Sequence, residues 1–232
     1  MNSLGSNYQA LVLGASGTLG HAFTALLRQD PACSRLVEVS RSTHPEFDLE
    51  QCERLEQLAQ QLQPLDPFHL IIDATGALTI HGQGPEKHLG AVHPAPLQQA
   101  MQINAIGPMM LLKHLAPLLA PKGRSIYAKL SARVGSISDN HKGGWYGYRA
   151  SKAALNMFLQ TAAIELARKR PELVVAAMQP GTVRSRLSAP FVAADQASDP
   201  LVAAHGLLCA LDALPANGRA CFVDYKGELI PW

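Results

Sequence analysis

The stretch Ala10-Leu-Val-Leu13-Gly14-Ala15-Ser16-Gly17-Thr18-Leu19-Gly20-His21-Ala22-Phe23 decides the fold of this chain. An apolar run stops at Gly14, and a helical pattern opens at about Gly20, with apolar residues at Ala22, Phe23, Ala25, Leu26 and Leu27. A strand that runs through a glycine turn straight into a helix opens a βαβ unit. Gly14 allows the tight turn, Gly17 lets backbone N–H groups approach an anion, and Gly20 allows the helix to pack closely on the strand. The helix N-terminus adds a partial positive charge. The turn Gly14–Gly20, with Ser16, Thr18 and Leu19 between its glycines, therefore reads as a cradle for the pyrophosphate of a dinucleotide. The bland alternative is a strand–helix turn that holds nothing.

Working outward, Leu36 to Val39, Leu70 to Asp73, Ser125 to Leu130, Leu173 to Met178 and Ala220 to Val223 read as further strands. Leu55 to Leu62, Leu97 to Leu119, Tyr148 to Lys169 and Leu201 to Leu211 read as helices between them. This alternation predicts an α/β fold, a single Rossmann-type, doubly wound parallel sheet with helices on both faces, formed by residues 1–232 as one domain. Pro108 and Pro117 lie inside the Leu97–Leu119 pattern, which predicts a kinked or broken helix. His81 to Pro96, polar and rich in Gly, Pro and His, reads as a surface loop. Its histidines His81, His88 and His93 lack metal-ligand spacing, so no metal is expected.

The chain has 232 residues, 47% hydrophobic and 16% charged, enough for a sizeable core. The formal net charge of +2 comes from scattered basic residues, and neither a nucleic-acid stripe nor a membrane-binding run is present. Cys33, Cys52, Cys209 and Cys221 form no C-x-x-C pair and are expected to be buried free thiols of a reducing compartment. No signal peptide or membrane-spanning run is read, and a cytoplasmic location is expected.

Two sites then set the chemistry. At the end of the second strand a carboxylate would suit a ribose 2′-hydroxyl, whereas a 2′-phosphate wants a cation. Ser40 and Arg41 stand there, with Glu38 nearby, so NADP(H) is favoured over NAD(H). Tyr148 and Lys152 are four residues apart on a helix and share one face, so a phenol and an ammonium converge. An adjacent cation is expected to lower the phenol from its usual ~10, fitting it for proton exchange with a carbonyl or alcohol oxygen.

With these pieces in order, the chain resembles the short-chain dehydrogenase/reductase family over nearly its whole length. Within that family it is similar to the small branch that includes the C-factor cell-signalling proteins. The matching motifs are Gly14–Gly20, Asp48-Leu49, Asp73-Ala74-Thr75-Gly76, Asn104-Ala-Ile-Gly107, Leu130-Ser131-Ala132-Arg133-Val134-Gly135, Tyr148–Lys152 and Gln179-Pro180-Gly181-Thr182. The resemblance implies that Tyr148 is the general acid or base, and that Lys152 lowers its pKa and holds the nicotinamide ribose. Asn104 would bind a water linking Lys152 to solvent. Asp48 and Leu49 would line the adenine pocket, Ala74, Thr75 and Gly76 would flank the cofactor, and Pro180 to Val183 would run past the nicotinamide. For Asp48 a helix-cap role, and for Asn104 that of an ordinary polar helix residue, are the alternatives.

Two departures from the pattern stand out. Thr18 occupies the place of a common middle glycine, with Gly17 supplying the backbone freedom instead. The family's usual catalytic serine, three residues before Gly135, is Ala132 here. Ser131 is the preferred replacement if the strand end is bulged, with Ser136 and Ser138 as other donors; on a regular strand Ser131 would face away.

The sequence thus points to an NADP(H)-dependent oxidoreductase acting on a small carbonyl or alcohol substrate. The rival reading is a dinucleotide-binding regulatory or signalling protein with little catalysis, motivated by Ala132 and the signalling branch. Self-association as a homodimer or homotetramer is implied by the resemblance, through the Leu97–Leu119 and Tyr148–Lys169 helices, where Ala153, Ala154, Ala162 and Ala163 permit close packing. The resemblance implies that Val183 to Pro200 covers the substrate. This stretch mixes small apolar residues with Arg184, Arg186 and Phe191, and its arginines read either as contacts for an acidic substrate or as part of a solvated lid helix.

Overall fold

In the computed structural model, which describes residues 1–45, 47–65, 67–185 and 188–232, strands and helices alternate along the chain. They are β1 (Tyr8–Leu13), α1 (Thr18–Gln29), β2 (Cys33–Val39), α2 (Cys52–Leu62), β3 (Leu70–Asp73), α3 (Pro94–Met101), α4 (Gly107–Leu115), β4 (Ser125–Leu130), α5 (Tyr146–Ala167), β5 (Leu173–Gln179), α6 (Pro200–Ala213) and β6 (Ala220–Asp224). The six strands form one sheet in the order β2-β1-β3-β4-β5-β6, and every neighbouring pair is parallel.

A sheet covered on both faces needs strands that are apolar on both sides. All four residues of β3 and all six of β4 are buried. Side chains alternate between two cores. Ala10 and Val12 pack with Phe23 and Leu27 of α1 and Leu207 and Leu211 of α6. Leu11 and Leu13 point the other way, into a core shared with Leu55 and Leu58 of α2, Leu111 and Leu115 of α4, and Leu155 and Leu159 of α5. The chain leaves β1 for β2 on one side and returns to β3 on the other, so the crevice at the carboxyl ends of β1 and β3 is the switch point where such sheets bind ligands.

The Leu97–Leu119 pattern resolves into several pieces. Helix α3 starts at Pro94, a first-turn position suited to proline. A π turn spans Gln102–Ile106, α4 follows, and Ala116–Leu118 is a 3₁₀ turn around Pro117. Pro108 has no N–H to give to residue 104, and the π turn absorbs the break just ahead of it. Among the alanines read as a helix-packing surface, Ala162 and Ala163 are buried in their own core. The cysteines are free, but only Cys221 is buried, Cys33 and Cys52 are half-buried and Cys209 is exposed, because the outer face of α6 carries it. Among the described residues no helix is long and apolar enough to cross a membrane.

Candidate active site

The glycine turn is built as a cradle. Gly14 has φ 75°, and its N–H and that of Ala15 both donate to the Val39 carbonyl, which seats the turn over the end of β2. A Cβ on Gly20 would stand 2.1 Å from the Gly14 carbonyl oxygen, so only glycine lets α1 start this close to β1. Gly17 is the N-cap of α1 and offers no side chain to the first turn. Among the described residues, the N–H groups of Ser16, Thr18 and Leu19 have no backbone acceptor, and Ser16, Gly17 and Thr18 are exposed. Unsatisfied donors at a helix N-terminus, unobstructed by side chains, fit a phosphate group.

At the tip of β2, Ser40 is buried, and its hydroxyl shares bonds with those of Ser42 (2.7 Å) and Thr43 (3.2 Å). Arg41 is exposed beside it. Glu38 points away from the tip and is ion-paired with Arg28 of α1. A cation and hydroxyl groups, rather than a carboxylate, therefore face the end of this strand. Both oxygens of Asp48 are engaged within the turn ahead of α2, accepting from the Glu50 N–H (2.9 Å) and from Gln51 Nε2 (3.2 Å), and neither bonds an N–H of that helix. The Leu49 carbonyl accepts from Gln102 Nε2 at 2.9 Å and ties the loop to the π turn.

Tyr148 and Lys152 lie on successive turns of α5, and Lys152 Nζ is 5.7 Å from the centre of the Tyr148 ring. Three neighbours aim Lys152. Gly135 lies so close that a Cβ there would be 2.8 Å from Lys152 backbone, the Leu130 carbonyl accepts from Nζ at 3.1 Å, and Gly76 is near the same nitrogen. Burial brings the Lys152 ammonium down to about 7, the charge of Lys129 adds to that, and Asp73 opposes it. Burial pushes Tyr148 up to about 12, contrary to the lowering expected from the sequence. A neighbour that gives up its own proton near neutrality is a weak cation, and desolvation of the phenolate prevails.

Asn104 sits in the π turn, fully buried. Its Oδ1 accepts from the Ala77 N–H at 2.9 Å, and its Nδ2 donates to the Ala77 carbonyl at 2.8 Å. The amide is a staple between the π turn and the loop after β3. Ala74, Thr75 and Gly76 lie beside the glycine cradle, where a Cβ on Gly14 would touch Ala74 and Thr75 at 3.2 and 3.3 Å. On the other side, Pro180 and Gly181 follow β5, the Thr182 carbonyl accepts from the Ser198 N–H, and Val183 is buried in a bridge with Ser198.

Ser131, preferred as the replacement for the serine missing at position 132, directly follows β4. β4 runs regularly, with no bulge, and the Ser131 N–H continues the ladder to the Met178 carbonyl. Its buried hydroxyl donates to Asn156 Oδ1 of α5 at 2.7 Å. Ser136 Oγ accepts from the Asp139 N–H, and Ser138 Oγ donates to the Trp232 carbonyl.

Sequence reading missed Glu86. Its Oε2 accepts from the Gly147 N–H at 3.0 Å and its carbonyl from the Trp145 N–H, so the loop after β3 caps the first turn of the helix that carries Tyr148. Trp145, at φ 54°, packs edge-on against both Tyr148 and Phe191. Phe191, Glu86, Lys87, His93 and Pro96 line a groove of about 380 Å³. A narrower pocket lined by Glu86, Gln99, Asn104 and Tyr148 adjoins it. Arg184 is paired with Asp199 at 3.8 Å, and Arg186 lies outside the described residues.

Comparison with known proteins agrees with this geometry. The C-signal of Myxococcus xanthus is 33% identical over 145 residues, covering 62% of this chain and 83% of that protein. A 1-hydroxy-2-glutathionyl-2-methyl-3-butene dehydrogenase from Rhodococcus sp. (strain AD45) is 25% identical over 96% of this chain and 98% of its own. A protein described as a short-chain dehydrogenase/reductase from Burkholderia multivorans, crystallised with bound NADP, superposes with a TM-score of 0.81 at 26% identity, covering 97% of this chain and all of that one. The model of the short chain dehydrogenase family matches residues 9–196. That match covers most of the chain, and the chain belongs to the short-chain dehydrogenase/reductase family of oxidoreductases.

Proposed function

We propose that this protein is an NADP(H)-dependent oxidoreductase that interconverts a carbonyl and an alcohol on a small substrate, with Tyr148 as general acid and base. The convergence of Lys152 with Gly76, beside the Gly14–Gly20 cradle and one helical turn from Tyr148, carries this reading. The N–H groups of Ser16, Thr18 and Leu19 would hold the pyrophosphate, and Ser40 and Arg41 the 2′-phosphate. The Asp48–Leu49 backbone would border the adenine, with Ala74 to Gly76 and Pro180 to Val183 on either side of the nicotinamide. When bound, the cofactor supplies or accepts the hydride.

The chain's own residues supply position and protons. A phenol pushed up to about 12 holds its proton at neutral pH, which suits Tyr148 to protonate a carbonyl oxygen in the reductive direction. Lys152, near 7, exchanges its proton at neutral pH and would recharge the phenol and bind ribose hydroxyls. Asn104 holds the wall formed by Ala77 and the π turn. The test is NADPH oxidation against a panel of aldehydes, ketones and quinones. Turnover should fall at least ~100-fold in Tyr148→Phe, the range of general acid catalysis; unchanged turnover would refute the role.

Ala132, with the hydroxyl protons of Ser131 and Ser138 both given to other acceptors, favours a second reading, a dinucleotide-binding regulatory protein. Tight NADPH binding without turnover on any substrate, in Ala132→Ser as in the natural chain, would select it.

A further inference from the structure

A second buried lysine stands behind the site. Lys129 of β4 and Asp73 of β3 are paired in register, with side chains 1% and 0% exposed. Lys129 Nζ donates to Asp73 Oδ1 at 3.1 Å, to the Thr75 carbonyl at 2.6 Å and to Thr75 Oγ1 at 3.0 Å. Asp73 Oδ1 also accepts from the Thr75 N–H at 2.9 Å. One ion pair thus fastens the turn that ends at Gly76, where φ is 136° and a Cβ would lie 3.4 Å from Lys152 Nζ and 3.2 Å from Asn104 Oδ1.

A buried ion pair is a poor way merely to hold a turn, because desolvation of both charges offsets their attraction and apolar residues of similar volume would serve as well. The surroundings do not complete the pair either. Among the described residues, Asp73 Oδ2 and the hydroxyl of Tyr127, wholly buried on the same strand face as Lys129, have no hydrogen-bond partner. Lys152 is faced by Tyr148 from its own helix, Lys129 from β4 and Asp73 from β3, with the uncharged Asn104 on the π turn.

We propose that Lys129, held by Asp73, is a positioning residue for Lys152: it fixes the Thr75–Gly76 wall against that side chain and sets a second positive charge behind it. The proposal rests on the role given to Lys152 in the proposed function. A positive charge on Lys129 adds to the burial that lowers the Lys152 ammonium; burial lowers Lys129 as well, and the Asp73 carboxylate, hydrogen-bonded to it, opposes that and favours its charged form.

The test uses the free protein with ¹³C-labelled lysines, titrated by NMR, the Lys152 signal being assigned by its loss in Lys152→Met. In the unmodified protein that signal should titrate near neutrality. In Lys129→Met the midpoint should move up by about one pH unit, and in Lys129→Met/Asp73→Asn, which also removes the carboxylate that favours the Lys152 ammonium, it should move up by less. An unmoved midpoint in folded Lys129→Met, or a double variant that moves as far as the single one, overturns the proposal. Failure of both variants to fold overturns it too, by assigning the pair to stability alone. The proposed function fails by a different reading: undiminished turnover in Lys152→Met would refute the role given there to Lys152 and leave the titration result standing.

Discussion

Lys152 shows what the site costs a single residue. It is buried at the C-terminal edge of the sheet, and its ammonium falls from 10.5 to about 7. Below about 7 folded and unfolded chains both carry the proton, and burying the charge counts fully against folding. Between about 7 and 10.5 only the unfolded chain holds it, so this residue's penalty shrinks as pH rises. Lys152→Met should therefore be more stable than the natural chain at pH 7, and the difference in Tm should narrow by pH 9. A Tm gap that stays constant or widens over that range would refute the burial argument. That Tyr148 and Lys152 share a helix face was legible from their spacing, whereas Asn104 came only from the family resemblance. The upward direction of the Tyr148 shift was not legible, since it depends on burial, which no local pattern encodes. The partner of Ser131 was illegible for a similar reason: Asn156 is twenty-five residues away on another element.

Strands and helices were legible where burial is two-sided and the runs are apolar. β3 and β4 match their sequence limits to the residue. The broken helix was foreseen from Pro108, but not that the break takes the form of a π turn that carries Asn104. Least legible was the loop after β3. Read as a solvated connection, it contributes Glu86, whose carboxylate satisfies an orphan N–H in the first turn of α5. Acceptors at this position also favour the positive end of the helix. Glu86→Ala should cost about 1 kcal/mol, typical of a lost cap, and should also lower kcat, because the loosened turn begins one residue before Tyr148. Glu86→Gln keeps an acceptor and should recover most of both. Thermal unfolding together with kcat decides it, and equal loss in the two variants would point to charge alone.

At the scale of the molecule, α5 presents Tyr148 and Lys152 on one face and exposed apolar side chains on another. Leu155, Leu159, Ala162 and Ala163 pack inward, while Met157 and Ile164, two turns apart, are 64% and 45% exposed. Ile106, on the π turn that precedes α4, is also exposed at 40%. Apolar side chains repeating along one helical face are best covered by another surface. In a symmetric pair the same face of a second copy would cover them. Packing this helix against a twin would also brace the element that aims Tyr148 and Lys152. The natural chain, 24.9 kDa, should therefore elute with light scattering at two or four times that mass. Met157→Glu/Ile164→Glu should give the monomer mass without unfolding, since neither side chain belongs to the core. Its turnover should fall with little change in NADPH affinity, because the cradle at Gly14–Gly20 lies on the opposite side of the sheet switch point and needs no partner. A natural chain that is already monomeric at micromolar concentration would leave this face without the role given to it.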